Sequence, residues 1–152
     1  MTILTYSLTA LLLFGAIFLG SLLGYISNEE LKTGKQYFKI LKSVIFFTML
    51  GLLLYFFNNL IIPVIVLAAL FFVFKKKKYH DIIVYLMLAV ILFFNNELNI
   101  IIPTLIFVYG LLQGTLVIEK VIHKKNKILL ITKTIFTRYI WFFILSLILL
   151  IL

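Results

Sequence analysis

Residues 56–103 decide the fold. Phe56-Phe57-Asn58-Asn59 is followed within four residues by Pro63, and Phe93-Phe94-Asn95-Asn96 within seven by Pro103. Between the two copies stand Lys75-Lys76-Lys77-Lys78 and a short apolar run on either side. Lysine and arginine collect in the cytoplasmic loops of membrane proteins. With the lysine block as a cytoplasmic bend and each Asn pair as an outer one, this stretch crosses a bilayer inward and back out.

Working outward, the composition agrees. The chain has 152 residues, of which 64% are hydrophobic and 12% charged, whereas a soluble domain is closer to half apolar. Folded in water, such a chain would expose apolar surface that water does not tolerate. One transmembrane domain is expected, because no polar stretch is long enough for a second. The net charge of +9 would suggest nucleic acid in a soluble protein. Here every Lys and Arg falls in or beside three inter-helix segments, so no nucleic-acid partner is expected. Without cysteine there is no disulfide, thiolate site or cysteine nucleophile.

Apolar runs predict six membrane helices, at about 3–26, 37–57, 60–78, 81–95, 100–121 and 128–152. The first lacks a basic leader and a small-x-small cleavage site, which predicts a retained helix rather than a signal peptide. About 20 apolar residues span a bilayer. The third and fourth runs, Leu60–Phe74 and Ile82–Phe94, are shorter. They cross if Lys75–Lys78 snorkel or the bilayer thins locally, and a re-entrant hairpin is the alternative. Ser27-Asn28-Glu29-Glu30 has the form of a capping box, and Gly34 can end a short interfacial turn before the second helix. Asp81 is placed to cap the fourth. Pro63 and Pro103 fall in first turns, where a missing N–H costs nothing.

The basic residues alternate by segment. Lys32, Lys35, Lys39 and Lys42 follow the first helix, Lys75 to Lys78 follow the third, and Lys120, Lys124, Lys125 and Lys127 follow the fifth, with Lys133 and Arg138 beyond. The intervening bends and both termini hold none. This pattern predicts a multi-pass cell-membrane protein with both termini outside the cytoplasm. Helix pairs 1–2, 3–4 and 5–6 each bend at a basic loop, pairs two and three open with an in-turn proline, and pairs one and two close on Phe-Phe-Asn-Asn, which suggests three tandem hairpins in one orientation. The competing explanation is that Asn and Pro are simply good boundary residues.

Ala16, Gly20 and Gly24, and again Gly110 and Gly114, stand four apart. Small residues at that interval let two helix backbones approach, so these positions are expected to pack helices rather than line a pore. Gln113 lies beside them at bilayer depth, where an amide must find a partner. Interhelical pairing is the plain reading; contact with a substrate is the sharper one. The long stems of Lys35, Lys39 and Lys42 are expected to snorkel to headgroups. Lys35, Lys39, Lys75, Lys76, Lys77, Lys78, Lys124 and Lys125 suit anionic lipid on the cytoplasmic leaflet, unless they serve only to orient the chain.

Catalytic signals are missing from the pattern. The carboxylates Glu29, Glu30, Asp81, Glu97 and Glu119 fall at helix ends or in loops. The polar residues well inside helices reduce to Thr9, Thr48, Gln113, Thr115 and Ser146. A proton-coupled carrier is expected to place an ionisable group at mid-depth. His80, Asp81, Glu119 and His123 could approach one another, but the surrounding lysines would repel a metal ion. There is no phosphate loop, Ser-His-Asp set or zinc motif. The chain is therefore expected to be no enzyme and to carry no cofactor or metal. The favoured reading is a structural or accessory subunit of a membrane assembly, as a homo-oligomer or with a partner subunit. The alternative is a small facilitator or lipid-handling transporter built from repeated hairpins, with a lipid-modifying enzyme a distant third.

Overall fold

The computed structural model describes residues 3–56, 80–93, 100–121 and 127–151. All regular structure among the described residues is helical. The described helices are α1 (Ile3–Ile26), α2 (Asn28–Phe56), α3 (His80–Phe93), α4 (Ile101–Val121) and α5 (Lys127–Ile151). Three of them contain stretches long and apolar enough to cross a membrane: Leu4–Ile26, Ile101–Ile118 and Leu129–Leu150. The six spans expected from the sequence thus become three candidate spans among the described residues. Asp81–Phe93 is apolar but shorter, α2 carries four lysines in its first half, and the helix expected at 60–78 lies outside the described residues.

One boundary is corrected. The interfacial turn and separate helix from residue 37 are replaced by a continuous α2 of 29 residues, about 43 Å at 1.5 Å per residue. Gly34 sits within this helix against the Phe38 ring and does not terminate it. An interior glycine costs only about 1 kcal/mol relative to alanine, less than breaking the surrounding backbone hydrogen bonds. Ser27 alone separates α1 from α2. Its hydroxyl donates back to the Leu23 carbonyl at 2.9 Å, and it stands directly ahead of α2, the place the capping-box pattern gives it; the Glu30 side chain lies outside the described residues. Asp81 does lie in the first turn of α3, one residue after the start, where its charge favours the helix dipole.

Packing fixes the direction of each helix. Leu13 and Ala16 of α1 face Gly110 of α4, and Ile17, Gly20 and Ser21 face the next turn at Gly114. α1 and α4 therefore run parallel. Phe46 of α2 meets Tyr109, while Lys42, a turn earlier, meets Gln113, so α2 is antiparallel to α4. Tyr85 of α3 meets Tyr109 and Asp81 meets Lys42, which makes α3 parallel to α2. Phe18 contacts Phe136 and Phe14 contacts Phe143, so α5 runs against α1. The end of α2 and the start of α3 consequently stand at opposite ends of the bundle.

Among the described helices the α1–α4 seam is the most extensive contact. A Cβ on Gly20 would overlap the Leu111 carbonyl, and one on Gly114 the Ile17 carbonyl and Ser21 nitrogen. Here backbone lies on backbone. Lipid tails are as apolar as leucine, so helices in a bilayer gain little from burial as such and associate through close packing and interhelical hydrogen bonds. Glycine at this spacing permits that packing. The opposite face of α1 exposes Leu4, Leu8, Leu11, Leu12, Leu19, Leu22 and Leu23, a contiguous leucine surface suited to lipid.

Candidate functional site

One polar cluster gathers inside the bundle, and four helices build it. α2 supplies Lys42, α3 supplies Asp81 and Tyr85, α4 supplies Tyr109 and Gln113, and α5 supplies Tyr139. Residues four apart share a helix face, so Asp81 and Tyr85 come from one face of α3, and Tyr109 and Gln113 from one face of α4.

Gln113 is the hub. Only 2% exposed, it uses both ends of its amide. Lys42 Nζ donates to Oε1 at 2.6 Å, and Nε2 donates to the Tyr139 hydroxyl at 2.6 Å. The orientation is chemically forced, because an ammonium can only donate and must meet the amide oxygen. Lys42 Nζ also stands 3.6 Å from Asp81 Oδ1 and 5.4 Å from the centre of the Tyr109 ring. An amide oxygen, a carboxylate and an aromatic face thus surround the ammonium. Each is favourable for a cation removed from water.

Three tyrosines wall the cluster. Tyr85 lies edge-on to Tyr139 with ring centres 4.7 Å apart, and 5.7 Å from Tyr109. All three are almost wholly buried. Among the described residues the buried Tyr85 hydroxyl has no hydrogen-bond partner. By contrast, the hydroxyls of Thr9, Thr48, Thr115 and Ser146 donate to carbonyls of their own helices, a local solution that leaves them no demand on a neighbour.

The cluster revises two sequence readings. Lys42 does not reach outward: its side chain is 15% exposed and directed at Gln113 and Asp81, whose side chain is 22% exposed. The bundle therefore contains an ion pair that helix-end assignments hid. Its attractive partners on two other helices, Asp81 of α3 and Tyr109 and Gln113 of α4, none adjacent in sequence, outweigh the pull of the headgroups on one snorkelling stem. Tyr85, Tyr109 and Tyr139 were not singled out as site residues by sequence. The available signal was the Asp81–Tyr85 and Tyr109–Gln113 spacing, polar groups a turn apart in otherwise apolar helices.

The other candidate residues fall as follows. Ala16, Gly20, Gly24, Gly110 and Gly114 are buried, and Ala16, Gly20, Gly110 and Gly114 meet across the α1–α4 seam. Lys35 is half-buried and Lys39 exposed on α2. Lys75, Lys76, Lys77, Lys78, Lys124 and Lys125 lie outside the described residues, as do Asn58, Asn95 and His123. Among the described residues no group of three or more His, Cys, Asp or Glu gathers; Asp81 faces Lys42 instead. The arrangement can fix helices to one another and hold a balanced charge pair away from water. Comparison with protein-family models, with curated proteins and with solved structures finds no match to this chain.

Proposed function

We propose that this protein is a non-catalytic, polytopic membrane subunit with a structural or accessory role. The observation that carries the reading is the occupation of Gln113. Both ends of the buried Gln113 amide are taken by Lys42 and Tyr139, so among the described residues the group best placed to meet a passing solute is already bound. With backbone closed on backbone along α1–α4, the bundle reads as a rigid block with a leucine-rich exterior. Anionic headgroups at the lysine-bearing ends, and either further copies or a partner subunit, would complete it.

The chain is proposed to cross the membrane six times, with Lys-bearing ends in the cytoplasm and both termini outside. Helix direction supports this: α1 and α4 run one way and α2, α3 and α5 the other, as an alternating chain requires if residues 57–79 cross between α2 and α3. Single cysteines at Asn59 and Asn96 should react with an impermeant thiol reagent outside intact cells, and one at Tyr79 should not. External labelling at Tyr79 would reject the topology.

A facilitator has one observation in its favour, the Lys42–Asp81 pair inside the bundle, since intramembrane charges often mark solute pathways. Flux separates the two. Vesicles containing the purified protein should be no leakier to small solutes than empty ones. Saturable uptake that disappears in Gln113→Leu would overturn the subunit reading.

A further inference from the structure

We infer that Arg138 marks a docking face for a membrane-spanning helix of a different protein, one that carries a carboxylate at bilayer depth. The inference deepens the subunit reading above and rests on it. Arg138 lies within the candidate span Leu129–Leu150, nine residues from one end and twelve from the other. At 1.5 Å per residue it is roughly 14 Å and 18 Å from the two ends, near the middle of the span.

A charge at that depth faces a bundle interior or water and is paired. Lys42 obeys this rule within the chain; Arg138 has no acidic partner among the described side chains. The buried stripe of α5 is Ile131, Ile135, Tyr139, Phe142 and Ser146, and Arg138 lies off it, exposed. Among the described side chains the acidic one is Asp81, and it faces Lys42. A larger assembly is what would turn this outward face into an interior one.

Three occupants are conceivable, and the chemistry separates them. A second copy would have to supply an outward carboxylate at mid-span. Yet Glu29, Glu30, Glu97 and Glu119 belong by sequence to helix ends or inter-helix segments, and Asp81 points inward. A lipid phosphate lies in the headgroup layer, farther from the middle of the span than an arginine stem reaches by snorkelling. Lys133, five residues closer to the Lys127 end, is the cation within that reach. A foreign helix with Asp or Glu at mid-depth meets every condition, because the planar guanidinium grips a carboxylate through two parallel hydrogen bonds. Thr134, Arg138, Trp141 and Leu145 follow one another at intervals of four, three and four, one flank of α5 along which such a helix would pack.

Trp141 is the chain's one tryptophan. It is 53% exposed and one turn from Arg138, so its fluorescence reports on this flank. The whole protein would be reconstituted in phosphatidylcholine vesicles with brominated acyl chains, which quench exposed tryptophan. A membrane-spanning Leu/Ala peptide with one glutamate at its midpoint is then added, and a glutamine version serves as control.

The glutamate peptide should relieve at least half of the quenching, the glutamine peptide little, and Arg138→Gln should abolish the difference. Lys133→Gln should leave it intact, and both variants should melt like the parent because both side chains are exposed. Should Arg138→Gln fail to accumulate, Arg138→Lys keeps the charge without the fork and should at least halve the relief. Equal relief by the two peptides, relief by neither, or relief unchanged in the Arg138 variants would overturn the inference. So would several-fold stronger quenching by brominated phosphatidylglycerol that depends on Arg138 and resists the glutamate peptide; that result would assign the arginine to a lipid headgroup. Saturable uptake by the protein alone would sink the subunit reading itself, whereas silent vesicles with an indifferent peptide would sink only this docking face.

Discussion

Gln113 and Gly114 are neighbours in sequence and face different parts of the bundle, and they hold helices together by opposite means. Gly114 contributes the absence of a side chain, so the backbones of α1 and α4 touch. Gln113 contributes two hydrogen bonds and joins α2, α4 and α5 through Lys42 and Tyr139. Contact at the glycine seam has no slack, since backbone atoms cannot change rotamer to make room. The cluster has slack, because lysine, amide and phenol can each turn or recruit water. One region should therefore be brittle and the other tolerant.

Gly114→Ala tests the brittle side and carries the largest expected effect. Overpacking a close-packed site costs typically ~1–3 kcal/mol and sometimes more, and here the new methyl meets only backbone atoms. A loss of about 3 kcal/mol or more is expected in detergent unfolding, with Gly20→Leu similar or worse. Gly15 is the internal control. A methyl there meets nothing within 4 Å, so Gly15→Ala should be neutral or stabilise by up to ~1 kcal/mol through helix propensity. Equal melting of the Gly15 and Gly114 variants would remove the distinction between seam and free face.

Lys42→Met comes next. The thioether keeps most of the stem but withdraws the cation from Asp81 and the donor from Gln113. Breaking a fully buried ion pair costs ~3–5 kcal/mol. With Lys42 and Asp81 15% and 22% exposed, water screens part of that, and about 1–3 kcal/mol is expected. Adding Asp81→Asn to Lys42→Met should recover some of the loss, as the uncompensated charge disappears. If Lys42→Met unfolds like the parent, the ammonium is not held inside the bundle.

Gln113→Leu should be the mildest. Interhelical hydrogen bonds in membranes average ~0.6 kcal/mol and reach about 2. Because Lys42 and Tyr139 both lose a partner, the upper part of that range is expected. A Gln113→Leu loss exceeding that of Gly114→Ala would invert the comparison and make the cluster the rigid element.

The two regions also differ in how far the sequence discloses them. The seam is local in its signature: Ala16, Gly20 and Gly24, then Gly110 and Gly114, show their spacing within single helices, and helix geometry does the rest. The cluster is written across residues 42, 81, 113 and 139. Nothing near Lys42 distinguishes a stem that turns inward from one that snorkels, since Lys35, Lys39 and Lys42 share one helical face. That choice belongs to Asp81, Gln113 and Tyr109 on other helices. Gly34 misleads for a related reason, because its capacity to end a helix is a local property and the continuity of α2 is not. The count of spans is legible only in part: lysine alternation speaks to sidedness, while length and hydropathy single out α1, α4 and α5 among the described helices.

The parallel pairing of α1 with α4 has a consequence in time. The partners of Gly20 are the backbone atoms of Leu111, roughly ninety residues later in the chain. At synthesis rates of about 5–20 residues per second, α1 waits on the order of 5–20 s in the bilayer before its counterpart exists. Throughout that interval its small-residue face is open to any helix able to approach it. α2 follows after a single residue, yet it packs chiefly on α4 and only slightly on α1. α1 thus closes its principal seam only long after it is made, and fidelity of assembly depends on what keeps the Gly20 face unoccupied until then.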